Sequence, residues 1–312
     1  MVGITTDGER TFEAAAMMAF AMLLLPLMDA AGKYLALHEG VTPGTSSFWR
    51  FVIQVALTAP VIMAMAGLRG LRPNHWGPNL IRGLLLGWAS GLFLIAVKYV
   101  PIADAMAIFF VEPFILTALS AIFLREKVRW PRWLAILVGF AGALLVIQPN
   151  FVEFGLVSLL PLLTATLFAV YLILNRVYSA HDSPLVMQFT AGIGGVVAIA
   201  AVLPVGEFLR VEDISWSVPN TWLAVALLVT AGLISAYGHL IVVAALRLAP
   251  ASLLAPFQYF EIVMAAIVGY LVFGNFPSLS KWLGIAIIIG SGLFILWREQ
   301  RRTVKRKREF TR

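Results

Sequence analysis

Stretches of about 20 apolar residues follow one another almost from end to end of this 312-residue chain, and about 20 is the length of helix that spans a bilayer's hydrocarbon core. Bounded by charge, Pro and Gly, ten such stretches are predicted, near 13–37, 45–66, 80–99, 101–124, 131–148, 156–177, 184–205, 220–246, 251–274 and 279–297. The segments between them are too short to hold a soluble domain. With 61% of its residues apolar and 12% charged, against roughly 45–50% and about 25% in a soluble domain, the chain must be solvated mostly by lipid. A one-span anchored enzyme is therefore excluded. The polar start MVGITTDGER and the length of the first run argue against a cleaved signal peptide. The absence of Cys removes disulfides, thiolate metal sites and Cys nucleophiles.

Orientation is read from the bias of Lys and Arg in the loops. Arg69, Arg72 and Arg82 lie between the second and third stretches, and Arg125, Lys127, Arg129 and Arg132 surround the turn after the fourth. Arg176 closes the sixth, Arg247 closes the eighth, and eight Lys and Arg follow the tenth. With ten spans all of these share one side. The opposite loops hold little base apart from Arg210, with Lys98 and Lys281 at span ends. Both termini are thus predicted to be cytoplasmic, in a multi-pass protein of the cell inner membrane. A polybasic segment directly after a membrane helix is a topology signal and a ligand for anionic lipid, so nucleic acid is not an expected partner.

Shifting the second half by 149 positions brings Ala96, Lys98 and Pro101 onto Ala245, Arg247 and Pro250, and Glu112 onto Glu261. The same shift pairs Trp133 with Trp282 and Leu144 with Leu293. Apolar matches mean little between membrane helices, but a matched Glu, Pro and Trp in one register mean more. Five spans per half is an odd number, so the halves must be inserted with opposite orientation. Inverted repeats of this kind recur in secondary transporters, with the substrate near the midplane between them.

The ten-span plan, the run MDAAGKYLA in the first span, FWRF in the second and ALRLAPASLLAPFQYFEIVMAAIVGYLVFG in the eighth and ninth resemble the drug/metabolite transporter superfamily, specifically its EamA-type members. The resemblance covers about 13–297. It implies an all-α integral membrane fold of ten transmembrane helices, arranged as two inverted five-helix EamA repeats at 13–148 and 156–297. A cytoplasmic N-terminus (1–12), a linker (149–155) and a basic cytoplasmic tail (298–312) complete the chain. The first four helices of each repeat would enclose a cavity, with the fifth at the periphery. Similar members carry riboflavin, S-adenosylmethionine, amino acids or metallophores.

Ionisable groups inside spans carry the strongest functional signal, since each costs at least about 2.5–3.5 kcal/mol to insert at mid-bilayer. Glu112 and Glu261 sit at the middle of the fourth and ninth spans, one from each half. Helical spacing puts Asp104 and Phe109 beside Glu112, and Gln258 and Phe257 one turn before Glu261. These faces are expected to line the substrate cavity, one Glu taking up a proton while the other contacts cargo. The alternative is an interhelical hydrogen bond that only holds helices together, and Pro113 offers a third role for its region as a kink. Asp29 and Lys33, four apart with the acid first, are expected to form an ion pair on the first span. Arg50 between Trp49 and Phe51 would meet Asp29 or cargo if it faces inward. Trp88 and Ser90 of the third span fall opposite Tyr237 and His239 of the eighth under the same shift, and are expected to share the cavity wall. With Phe109, Phe257 and Tyr259 they tilt the cargo toward a flat heterocycle. Gly139 and Gly142 in the fifth span, Gly192, Gly194 and Gly195 in the seventh, and Gly284, Gly290 and Gly292 in the tenth read as packing sites.

Rival classes lack their motifs. No HExxH metal site, GxSxG nucleophile or Walker-type GxxxxGK[ST] is present, so a membrane-embedded enzyme and an ATP-driven pump are disfavoured, and no metal or cofactor is expected. A channel would carry a ring of filter residues, and a two-fold repeat suits alternating access better. The predicted function is transport of a small organic metabolite, riboflavin or a similar heterocycle, with protons as a coupling partner. Export of amino acids or related amphiphiles, S-adenosylmethionine-like cargo included, is the second reading. Direction of transport and the choice between monomer and homodimer stay open.

Overall fold

The computed structural model describes residues 7–100, 102–126, 128–147, 155–273 and 279–310. Lys127, residues 149–154 of the expected linker, and the side chains of Asp104 and Lys281 lie outside the described residues. The helices are α1 (Asp7–His38), α2 (Pro43–Ala66), α3 (Trp76–Tyr99), α4 (Ile102–Phe109), α5 (Glu112–Phe123), α6 (Trp130–Ile147), α7 (Leu159–Tyr178), α8 (Pro184–Leu209), α9 (Trp222–Leu248), α10 (Ala251–Leu254), α11 (Phe260–Phe273) and α12 (Leu279–Phe310). Among the described residues no strand occurs. Six helices, α1, α2, α3, α7, α8 and α9, are long and apolar enough to cross a membrane.

Local chemistry sets several boundaries. Thr42 accepts the Thr45 amide at 3.2 Å and precedes Pro43, and Ser183 accepts the Val186 amide at 3.3 Å and precedes Pro184. A hydroxyl cap followed by Pro starts a helix economically, because Pro lacks an amide hydrogen that no carbonyl would have met.

Two of the predicted spans are interrupted rather than continuous. The fourth divides into α4 and α5 at Phe110 and Val111, and the ninth passes through α10 and a 3₁₀ turn, Ala255–Tyr259, before α11 begins. Pro113 and Pro256 explain the interruptions, since each deletes a backbone donor inside the run. After the break, the Phe114 amide turns to Val111 instead of Phe110. Both breaks therefore leave a carboxylate, Glu112 or Glu261, in the first turn of the helix that resumes. α12 continues past the tenth predicted span as one helix through the basic segment to Phe310.

The helices pair in a pattern that exchanges the two halves. α1 lies on α9 as α3 lies on α7, α1 touches α11 as α5 touches α7, and α2 on α9 matches α3 on α8. α2 with α8, and α6 with α12, pair across the middle. Small residues permit the closest approach: a Cβ on Gly194 would lie 2.6 Å from the Cα of Gly83. Gly290, by contrast, faces open space, so its expected packing role is absent.

Polar residues tie the bundle at its two ends. At one end the Thr42 amide donates to Ser217 Oγ at 2.8 Å, the Ser217 amide to Thr45 Oγ1 at 2.9 Å, and Lys98 and Tyr99 both bind Asp213. At the other, Asp182 accepts from the Asn74 amide and Asn79 Nδ2, each at 2.8 Å, and Arg176 Nη1 donates to the Leu246 carbonyl at 2.6 Å. Arg82 corrects the loop assignment. It is fully buried on α3, where Nε donates to Asn175 Oδ1 at 2.8 Å and the guanidinium also reaches Asn79 and the Met187 carbonyl.

Candidate functional site

Seven helices, α1, α2, α3, α4, α7, α9 and α11, border one cavity in the middle of the bundle. The cavity and its opening together enclose about 540 Å³ of space free of atoms. Among the described residues, α6 and α12 contribute none to its lining, and they pack on each other.

α1 supplies Met22, Leu25, Met28 and Asp29, spaced at the three- and four-residue steps of one helical face. Opposite them α2 brings in Arg50, which is 5% exposed. Its Nη1 donates to the Met28 sulfur at 3.2 Å and its guanidinium carbon lies 4.5 Å from the Phe51 ring centroid, whereas Nε and Nη2 meet no protein acceptor. A buried guanidinium with unused donors is costly unless something else occupies them. Asp29 is near enough for its charge to act on Arg50.

α9 sets His239 with its Nδ1 3.0 Å from the Ser235 carbonyl. A carbonyl only accepts, so Nδ1 carries the hydrogen and, in the neutral ring, Nε2 is left as an acceptor. Ser90 of α3 borders the cavity with an unpartnered hydroxyl. Phe93, Phe109 and Phe168 make an aromatic wall, Phe109 standing 5.6 Å from Phe93 and 5.8 Å from Phe168 between ring centroids, and Phe168 standing 6.2 Å from His239. Glu261, at the start of α11, closes the lining.

Six of the predicted residues thus meet at one cavity: Asp29, Arg50, Ser90, Phe109, His239 and Glu261. The others stand elsewhere. Trp88 and Tyr237 are 44% and 57% exposed and point away from the cavity that Ser90 and His239 border. Residues two apart on a helix differ by about 200°, so only one of each pair can face inward. Lys33 forms no ion pair with Asp29 and does not border the cavity, where Asp29 stands with Arg50 of the neighbouring helix. Glu112 is fully buried but does not border the cavity. Gln258 stands beside it, yet both Glu112 oxygens and Gln258 Nε2 lack a hydrogen bond of acceptable geometry. Phe93, Thr164 and Phe168 were not singled out, because nothing in an apolar run distinguishes a phenylalanine that faces a cavity from one that faces lipid.

The model of the EamA-like transporter family matches residues 13–148 and again 155–297. The chain belongs to the EamA-like transporter family. It is 31% identical to a riboflavin transporter of Vibrio cholerae over 95% of this chain and 96% of that one. A riboflavin transporter of Brucella anthropi is 28% identical over 86% and 93%, and an S-adenosylmethionine uptake transporter of Rickettsia bellii is 28% identical over 89% and 91%. A solved crystal structure shares the fold, with a TM-score of 0.73 over 92% of this chain and 98% of that one at 20% identity. The family's transport activity and the six long apolar helices make this a multi-pass membrane transporter of small metabolites.

Proposed function

We propose that this chain is a secondary transporter of riboflavin or a similar heterocyclic metabolite in the bacterial inner membrane, working by alternating access. Counting α4 with α5 and α10 with α11 as single interrupted spans gives ten, in two five-span halves of opposite orientation, 13–148 and 156–297. The exchange of helix partners between halves supports that symmetry, as does the double match of the family model. The basic loops and tail support cytoplasmic termini and contact with anionic lipid.

The observation that carries the assignment is the central cavity, where an aromatic wall faces unpartnered polar groups supplied by helices of both halves. Rocking of the halves about this site would open it to each side in turn, with the breaks ahead of Glu112 and Glu261 as flexible points. Protons are the proposed coupling partner through Glu261, a carboxylate that borders the cavity.

Purified protein in liposomes is expected to take up riboflavin with saturation and to show counterflow when preloaded. Linear, unsaturable flux or single-channel currents would refute a carrier, and uptake of S-adenosylmethionine in place of riboflavin would refute the cargo. That second reading has its own support, because two carboxylates, Asp29 and Glu261, border the cavity and suit a cationic cargo.

A further inference from the structure

We infer that the cavity recognises its cargo by an edge, a carbonyl oxygen beside an unprotonated ring nitrogen on a fused heterocycle, and that Arg50 is the residue that reads it. The inference rests on the transport reading above and names the part of the cargo that is bound. Arg50 is 5% exposed and borders the cavity, and its position is set by the Met28 sulfur at Nη1 and the Phe51 ring. Those contacts leave Nε and Nη2 without a protein acceptor. Nε–H and one Nη2–H are parallel donors in a rigid plane. That fork fits two adjacent acceptors, in the way Arg binds the O6 and N7 of guanine.

A carboxylate would fit the same fork. The rest of the lining favours a ring edge over a carboxylate, because Phe93, Phe109 and Phe168 make an aromatic wall on which a flat ring lies. A neutral ring edge brings no charge. Its own N–H groups would find acceptors in Glu261 and in His239 Nε2, and its face would lie on Phe109 and Phe168. The polyol or sugar substituent of such a cargo has no comparable set of unused donors here, so it contributes less to recognition than the ring.

The test is competition for labelled riboflavin in liposomes carrying the wild-type protein. Lumiflavin, which keeps the ring and lacks the ribityl chain, is expected to compete, and ribitol is not. One of 1-deazariboflavin and 5-deazariboflavin, each missing one ring-nitrogen acceptor, is expected to compete about tenfold more weakly than riboflavin, the loss of one hydrogen bond to a charged donor. In Arg50→Lys, which keeps the charge but not the fork, riboflavin should weaken while the difference between the deaza analogues and riboflavin disappears. Competition by ribitol without lumiflavin, or equal affinity of both deaza analogues with riboflavin, would overturn the inference even if riboflavin is transported. Binding of lumazine or guanine, measured by thermal shift, in a protein that ignores riboflavin would overturn the cargo assignment and leave the edge recognition standing. If S-adenosylmethionine or an amino acid binds and no ring compound does, both fail. The wild-type analogue series decides the matter even if Arg50→Lys does not fold.

Discussion

The hydroxyl of Tyr259 donates to the backbone carbonyl of Phe110 at 3.4 Å, and the two rings lie 5.6 Å apart between centroids. These residues are separated by 149 positions, the displacement that also places Glu112 on Glu261. The bond has a local cause. Pro113 breaks the run, the Phe114 amide is diverted to Val111, and the Phe110 carbonyl loses its helical donor. Tyr259 supplies a replacement from the equivalent break in the other half, so the two interruptions are fastened to each other.

Tyr259→Phe removes that donor and leaves the ring contact. Stability in detergent should fall by about 0.5–1.5 kcal/mol, the net worth of one hydrogen bond, read as a lower melting temperature. Cargo affinity should change less than twofold, because Tyr259 does not border the cavity.

Glu112 and Glu261 should separate in function despite their equivalence in sequence. Glu261 borders the cavity and Glu112 does not. Glu261→Gln is expected to weaken cargo binding several-fold and to flatten the pH dependence of uptake. Glu112→Gln should leave equilibrium affinity unchanged while altering stability or rate. Affinity by equilibrium binding and uptake across a pH series check both, and identical behaviour of the two variants would remove the distinction.

Arg82→Ala should destabilise the fold by at least about 1–3 kcal/mol, the cost of leaving a buried polar group without its hydrogen bond. Asn79, Asn175 and the Met187 carbonyl all lose a partner. The effect belongs in thermal melts and expression level. In whatever folded fraction survives, cargo affinity should stay as in the wild type, since Arg82 lies outside the cavity lining.

The chain contains no Cys, so single introduced thiols report without background. Val218→Cys, at a residue 63% exposed between α8 and α9, should react with a membrane-impermeant maleimide in intact cells. Leu68→Cys, at a residue 75% exposed after α2, should react only after lysis. The reverse pattern would overturn the proposed orientation.

How far the residues alone reach is clearest at the broken spans. The apolar runs, the internal match at Glu112 and Glu261 and the basic loops were legible as one-dimensional patterns, because lipid imposes length, composition and charge bias on each segment separately. Where the runs break was legible only in part: Pro113 signalled a kink, whereas the structure has two separate helices there, with Tyr259 of a distant segment donating to the freed Phe110 carbonyl.

The membrane fold, its transporter family and the presence of charge inside the bilayer were therefore determined by the sequence itself, through costs that each segment meets alone. Only the tertiary structure decided which charges work together. It set Asp29 and Arg50 on one cavity and left Lys33 off it, turned Ser90 and His239 inward while Trp88 and Tyr237 turned out, and buried Glu112 behind the cavity that Glu261 borders. Helical periodicity relates residues on one helix, but which way that helix is rotated follows from what packs against it.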